Sequence, residues 1–254
     1  MTPGLPAADS GLRAANSGLR PLAEAAPFIA ERVGRAVRER GACSLVLAGG
    51  RTPRGVYGQL ALPELRVPWQ SVRLFWGDER FVPREHEASN YRMARECLLE
   101  KVRPPARNVF PVPVEAGSAE EAARNYERTL RGQFPADAFP AFDLVLLGIG
   151  ADGHTASLFP GGPECEERTR WCVASRAPEG SPPRERVTLS LPALNAARAV
   201  AFLVAGEDKR EALRAVLALA PEAVAAGRQP AARGGLPAQR VRAGELVFFT
   251  DLRV

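Results

Sequence analysis

Apolar and polar positions change period several times along the chain, and each change marks an element. Over residues 22–40, Leu22, Ala26, Ile29, Ala30, Val33 and Val37 recur every three or four positions and stop at Gly41. That spacing predicts an amphipathic helix closed by glycine. Helical spacing returns at 91–102, 119–131 and 208–219. Between these lie short, solidly apolar runs at 44–48, 72–76, 142–147, 200–205 and 246–250. Runs of that length with no polar alternation predict strands buried on both faces, as in a parallel sheet. A sixth strand is expected at 186–191, where polar residues alternate, and 171–174 is a further apolar segment. Strands alternating with helices predict an α/β protein, a Rossmann-like, mostly parallel sheet sandwiched by helices. The Pro- and Gly-rich patches at 104–117, 178–183 and 221–238 read as loops, because strands continue on both sides of them. Residues 1–20 repeat Ser10-Gly11-Leu12-Arg13 as Ser17-Gly18-Leu19-Arg20, too short a unit for a solenoid. They read as a flexible tail before a single domain at 21–254.

Composition narrows the class. The chain has 254 residues, 46% hydrophobic and 25% charged, as expected of an ordinary globular domain. No stretch approaches the roughly 18 apolar residues of a membrane span. Residues 1–10 lack the basic and apolar regions of a secretory signal, so the expected location is cytoplasmic. Cys43, Cys97, Cys165 and Cys172 have no C-x-x-C spacing and read as buried thiols. With two histidines and no cysteine pair, a structural metal site has little to build from. The net charge of +5 is spread among interleaved acids, as in Arg38-Glu39-Arg40, with no basic run or aromatic-basic stripe. Nucleic acid is therefore not an expected partner. Arginine carries nearly all the positive charge, and Lys209 is one of two lysines.

Three strand ends carry polar, glycine-rich loops. The third strand empties into Gly148-Ile149-Gly150-Ala151-Asp152-Gly153-His154, where ligands sit in open parallel sheets. Gly148, Gly150 and Gly153 match the letters of the dinucleotide fingerprint, which needs a long helix afterwards. Pro160-Gly161-Gly162-Pro163 forbids that helix, so no nicotinamide cofactor is expected. The turn Ala48-Gly49-Gly50-Arg51-Thr52-Pro53 is either an anion cradle of backbone N–H groups at a helix start or a plain tight turn. It lacks the Gly-Lys-Ser/Thr of a triphosphate loop. In residues 76–91, Asp78 and Arg80 are candidates for holding hydroxyls or stabilising developing negative charge. Ser89 or Asn90 suits a helix N-cap, while Glu79 and His86 fit either a solvated loop or a supporting role. A serine hydrolase finds no support, because no G-x-S-x-G elbow occurs. Direct activation of water by His154 remains, since histidine suits general-base work near neutrality.

Taken together, the motifs resemble the 6-phosphogluconolactonase family, which shares a fold with glucosamine-6-phosphate deaminases and isomerases. The resemblance spans 21–251. It rests on Ala48 to Pro53, Trp76 to Pro83 with Ser89-Asn90, Gly148 to Pro160, Arg186 to Pro192 with Asn195 and Ala197, and Gly206 to Lys209. It implies hydrolysis of 6-phospho-D-glucono-1,5-lactone, the second step of the oxidative pentose phosphate pathway, without metal or organic cofactor. Its expected partner is the small-molecule substrate, with the protein a monomer or small homo-oligomer. By the same resemblance His154 is the general base, Asp152 shapes its loop and orients it, and Arg80 helps neutralise the oxyanion, with Asp78 nearby. Gly49, Gly50, Arg51 and Thr52, with Arg186 and Lys209, bind the 6-phosphate, and Gly153 belongs to the substrate loop. The family's phosphate turn commonly reads Ser-Gly-Gly-Ser-Thr-Pro, and here Ala48 and Arg51 replace both serines. The alternatives are a deaminase-like isomerase or a non-catalytic sugar-phosphate-binding protein. Deaminases look to an acid five positions after the loop histidine, where this chain has Phe159.

Overall fold

Solid apolar runs need partners on both faces, and a computed structural model shows how they find them. It describes residues 18–225 and 235–254, so most of the expected tail and part of the 221–238 loop lie outside the described residues. Strands β1 (Leu19–Pro21), β2 (Cys43–Leu47) and β3 (Val72–Trp76) are followed by β4 (Asp78–Arg80), β5 (Val109–Phe110) and β6 (Leu144–Leu147). The remaining strands are β7 (Cys172–Arg176), β8 (Glu185–Leu189), β9 (Val200–Val204) and β10 (Leu246–Thr250). Seven form one all-parallel sheet in the order β1-β10-β9-β6-β2-β3-β5. Every residue of β2, β6 and β9 is buried.

The helices are α1 (Ala25–Arg40), α2 (Arg51–Leu60), α3 (Asn90–Ala94), α4 (Glu100–Val102), α5 (Ala119–Gln133), α6 (Leu191–Asn195) and α7 (Arg210–Ala225). A π-helical turn, Arg95–Leu99, joins α3 to α4, so the expected helix at 91–102 is continuous but locally widened. Right-handed crossovers put α1 and α2 on one face of the sheet and α5 and α7 on the other. The contact of α1 with α2 agrees, and α5 also packs on β7 and β8 of the smaller sheet.

Three features depart from the sequence reading. Leu19 and Arg20, expected in the tail, belong to β1 and pair with Phe248 and Phe249 of β10. The strand expected at 186–191 does not join the main sheet; as β8 it lies between β4 and β7 in a separate antiparallel sheet. Its alternating polar residues Arg186 and Thr188 are buried there rather than solvated, and Thr188 Oγ1 accepts from the Ser157 N–H of the histidine loop at 3.2 Å. The third departure is α7, which runs to Ala225 rather than ending near 219.

Two buried tyrosines fix the strand ends that carry the loops. The Tyr57 hydroxyl of α2 accepts from the N–H of Ala48 and donates to its carbonyl, both at 2.8 Å. The Tyr126 hydroxyl of α5 does the same at Trp76, at 2.8 and 3.0 Å. Burial pushes the pKa of both phenols up. Each tyrosine pairs backbone groups at the point where its strand leaves the ladder, where a buried orphan would cost about 1–3 kcal/mol.

Candidate active site

The strand order reverses at β2, which has β3 on one side and β6 on the other. Ligands in open α/β sheets bind at that reversal, outside the carboxyl ends of the strands. A cavity of about 310 Å³ opens there. Its walls come from the loops after β2, β3, β6 and β9, so the loops singled out in the sequence do converge. Gly49, Gly50, Arg51, Thr52, Asp78, Arg80, His154 and Lys209 all line it.

The first wall is the start of α2. Gly50 is its N-cap at φ 101°, in the left-handed region that favours glycine. No described group accepts from the N–H groups of Gly50, Arg51 or Thr52, and together they make a positively polarised cradle. Lys209 faces the same cavity from the 3₁₀ turn after β9, with only a 3.7 Å contact to Asp208.

The opposite wall is the histidine loop. His154 Nδ1 lies 2.5 Å from Asp152 Oδ1, and the same oxygen accepts from the His154 backbone N–H at 3.1 Å. A carboxylate can only accept, so Nδ1 carries the hydrogen and Nε2 keeps a free lone pair. Desolvation works against ionising Asp152, but the hydrogen bonds from the His154 ring and backbone outweigh it and hold its pKa below the ordinary value. The ring crosses so close to Gly150 that a Cβ there would fall 2.0 Å from Nδ1. Phe159 packs its ring 4.9 Å from the imidazole. No helix follows this loop; turns and a Thr155–Leu158 bridge take its place, as the prolines required.

Between these walls stands β4. The Asp78 carboxylate accepts from Ser157 Oγ at 2.6 Å and from Asn90 Nδ2 at 3.3 Å, tying the histidine loop and α3 to one strand. Arg80 donates to the Ala88 carbonyl at 2.7 Å, and its Nε is buried without a partner. Arg186 of β8 is directly opposite it and has a partnerless Nε as well. Neither guanidinium forms an ion pair among the described residues. Desolvation, then the Arg80 charge, lowers the Arg186 pKa. The nearby Asp78 and Glu79 offset part of that repulsion, and two like charges opposite each other across a strand pair favour receipt of a further anion nearby.

Three expected site residues do not line the cavity. Asp152 stands behind His154. Gly153 has φ 81°; its N–H bonds the Gly150 carbonyl, its own carbonyl accepts from Ala238, and Leu236 covers its Cα. Its place is in shaping the loop, because both backbone groups are already used. Arg186 is 6% exposed and donates to the Ser181 carbonyl, one strand away from the lining.

Ser89 is the N-cap of α3, as expected, accepting from Arg92 N–H. Asn90 is not a cap; it turns into the cavity. Glu79 is neither solvated nor in the lining. It is buried, accepts from the N–H groups of Arg80, Asn90 and Tyr91, and receives the Ser89 hydroxyl. Burial pushes its pKa up to about 7 against those bonds. The His86 side chain is exposed, and its Nδ1 accepts from the Ala88 N–H at 3.0 Å. Burial raises the thiols of Cys43 and Cys165 to about 12 and about 11, so neither is a ready nucleophile. Among the described residues no cluster of His, Cys, Asp and Glu could hold a metal ion.

A parallel sheet with a cradle of free N–H groups and a carboxylate-oriented histidine on one cavity defines an α/β protein with a candidate anion site at its strand ends. The model describing glucosamine-6-phosphate isomerases and 6-phosphogluconolactonase matches residues 20–248, and the chain belongs to that family. Within it the similarity runs to the lactonases. A 6-phosphogluconolactonase of Synechocystis is 44% identical over 197 residues, 77% of this chain and 79% of that one. Another from Mycobacterium tuberculosis is 39% identical over 207 residues, 78% and 83% of the two chains. The crystal structure of 6-phosphogluconolactonase from Thermotoga maritima superposes with a TM-score of 0.75 at 33% identity, covering 91% of this chain and 97% of that one. The Trypanosoma brucei enzyme gives 0.77 at 30% identity, covering 92% and 96%.

Proposed function

We infer that this enzyme hydrolyses 6-phospho-D-glucono-1,5-lactone to 6-phosphogluconate, with His154 as the general base. The observation that carries the site assignment is the Asp152–His154 pair facing an anion cradle across one cavity. The phosphate would sit on the N–H groups of residues 50–52 with Lys209 beside it, which places the lactone ring toward His154. Nε2 takes a proton from water as the water oxygen bonds the carbonyl carbon. The oxyanion that forms is stabilised by the Arg80 guanidinium, which forms no ion pair among the described residues. Collapse breaks the ring ester bond, and the departing ring oxygen takes the proton back from the imidazolium. The products are a hydroxyl and a carboxylic acid, which gives its remaining proton to solvent to become the carboxylate. Asp152 holds Nδ1–H throughout and stabilises the transient imidazolium.

Arg186 supports this scheme from the second row: its charge adds to that of Arg80 and draws the anionic substrate. An activated ester needs a base, water and charge stabilisation, and the scheme calls on no cofactor. Phe159 disfavours the deaminase-like alternative, since an apolar ring cannot exchange protons. The described residues contain no helix long and apolar enough to cross a membrane. The four cysteines are free, which fits the reducing cytoplasm as the site of action, although chloroplastic relatives occur. Large exposed hydrophobics among the described residues are limited to Leu19, Leu62 and Val254, which favours a monomer or small homo-oligomer.

The test is acid release from the phosphorylated lactone, followed with a pH indicator after subtracting spontaneous opening. Wild-type enzyme should accelerate it, and His154→Asn should lose about 10²–10⁴-fold in kcat. The variant should still bind 6-phosphogluconate. A folded His154→Asn enzyme with near wild-type kcat would refute the mechanism.

A further inference from the structure

Asn90 is the first residue of α3, only 2% exposed, and yet it lines the cavity. Its Nδ2 donates to the Asp78 backbone carbonyl at 2.9 Å and to the Asp78 carboxylate at 3.3 Å. Both partners only accept, so the amide seats one way, nitrogen toward Asp78. That fixes Oδ1 on the other side, over Gly49, where a Cβ would fall 1.9 Å from it. Glycine at 49 therefore leaves room for this oxygen. The side-chain hydrogen bonds of Asn90 among the described residues all run from Nδ2, which leaves Oδ1 without a donor in a residue that lines the cavity.

A pinned, unpaired amide oxygen inside a pocket is an acceptor without its donor. The surroundings decide which donor fits. A phosphate near neutrality offers acceptors almost exclusively, so Oδ1 cannot serve the anion held by residues 50–52 and Lys209. A hydroxyl can donate to it. Oδ1 lies between the anion cradle and Asp78, the stretch that the sugar's carbon chain must cross to bring its carbonyl to His154. We propose that Asn90 is a further substrate-binding residue whose Oδ1 accepts a hydrogen bond from a sugar hydroxyl between the phosphate and the lactone carbonyl. The assignment rests on the lactone reading above.

Titration calorimetry of wild type and Asn90→Ala with 6-phosphogluconate, its single-deoxy analogues and inorganic phosphate tests the proposal. Alanine should weaken 6-phosphogluconate about 2- to 12-fold, the range for one neutral hydrogen bond, with inorganic phosphate unchanged. One deoxy analogue should bind wild type and variant equally, because the group Asn90 would hold is already missing. Asn90→Ser, with a residue well suited to a helix start, repeats the comparison if alanine impairs folding. Equal binding of 6-phosphogluconate by wild type and variant would overturn the role of Asn90. So would a parallel loss of inorganic phosphate, which marks a collapsed site. A wild-type protein that neither speeds lactone opening nor binds 6-phosphogluconate would overturn the lactone reading itself, and the proposal with it.

Discussion

Gly150→Ala moves the imidazole without altering any group proposed to touch substrate. A Cβ at this position would fall 2.0 Å from His154 Nδ1 and 2.5 Å from Asp152 Oδ1, while ordinary contact begins near 3.4 Å. The ring must therefore retreat by about 1.4 Å, or Asp152 must release it. The backbone itself accepts alanine, since Gly150 is not in the left-handed region. Catalytic groups misplaced by about 1 Å cost about 10²-fold in rate, or about 2.7 kcal/mol of barrier. A kcat loss of at least 10²-fold is expected, bounded by the loss in His154→Asn. The anion cradle lies on the far wall, so affinity for 6-phosphogluconate should stay within about 3-fold of wild type, the change of one weak contact at most. The control is Gly58→Ala in α2, where an added Cβ meets nothing within 4 Å. It should leave kinetics unchanged and raise stability by about 0.5–1 kcal/mol. Lactone hydrolysis corrected for spontaneous opening, with calorimetry of product binding, reads both. Near wild-type kcat in a folded Gly150→Ala enzyme would show that the position of the ring does not control the reaction.

Lys209→Ala should raise KM about 10- to 150-fold, the worth of one charge-assisted contact of about 1.5–3 kcal/mol, with kcat little changed; unchanged KM would remove it from phosphate binding. Glu79 titrates near 4.5 when free and is raised to about 7 in the fold, so the folded state keeps an extra proton between those values. Its stabilising contribution is complete below about 4.5 and is lost as pH rises through about 7, so thermal melts of Glu79→Gln should lack the part of the pH slope it causes; parallel melting curves across that window would contradict the burial argument. Glucosamine 6-phosphate should release no ammonia above background, because Phe159 occupies the deaminase acid's place; clear enzyme-dependent release would reverse the branch assignment.

The main sheet was legible because burial on both faces leaves a plain signature: β3 and β10 occupy the expected residues, and β2, β6 and β9 differ by a few at their ends. The loops after β2, β3 and β6 were legible from glycine and charge at strand ends. What was lost is what depends on distant partners. β1, β4 and β5 are two or three residues long and exist only through pairing, so periodicity could not reveal them. Glu79 reads equally as a solvated acid or a supporting one, and only the first N–H groups of α3 closing over it decide for the second. Asn90 follows a cap residue and looks like one; only the approach of Gly49 shows that its amide is aimed elsewhere. Arg186 carried the right chemistry in a recognisable block, but its register against Arg80 sets it a row behind the expected position.

The tyrosines at Ala48 and Trp76 separate frame from rim. Each satisfies both polar backbone groups of the residue where a strand stops, so the strand end needs nothing from the loop beyond it. A loop anchored that way can change its residues without unravelling the ladder. The replacement of two familiar serines by Ala48 and Arg51 fits such freedom: both backbone groups of Ala48 are held by Tyr57, and Arg51 is an exposed residue of the cavity wall. Variation in how this site grips its anion can therefore accumulate in the 49–52 turn while Tyr57 keeps the floor beneath it in place.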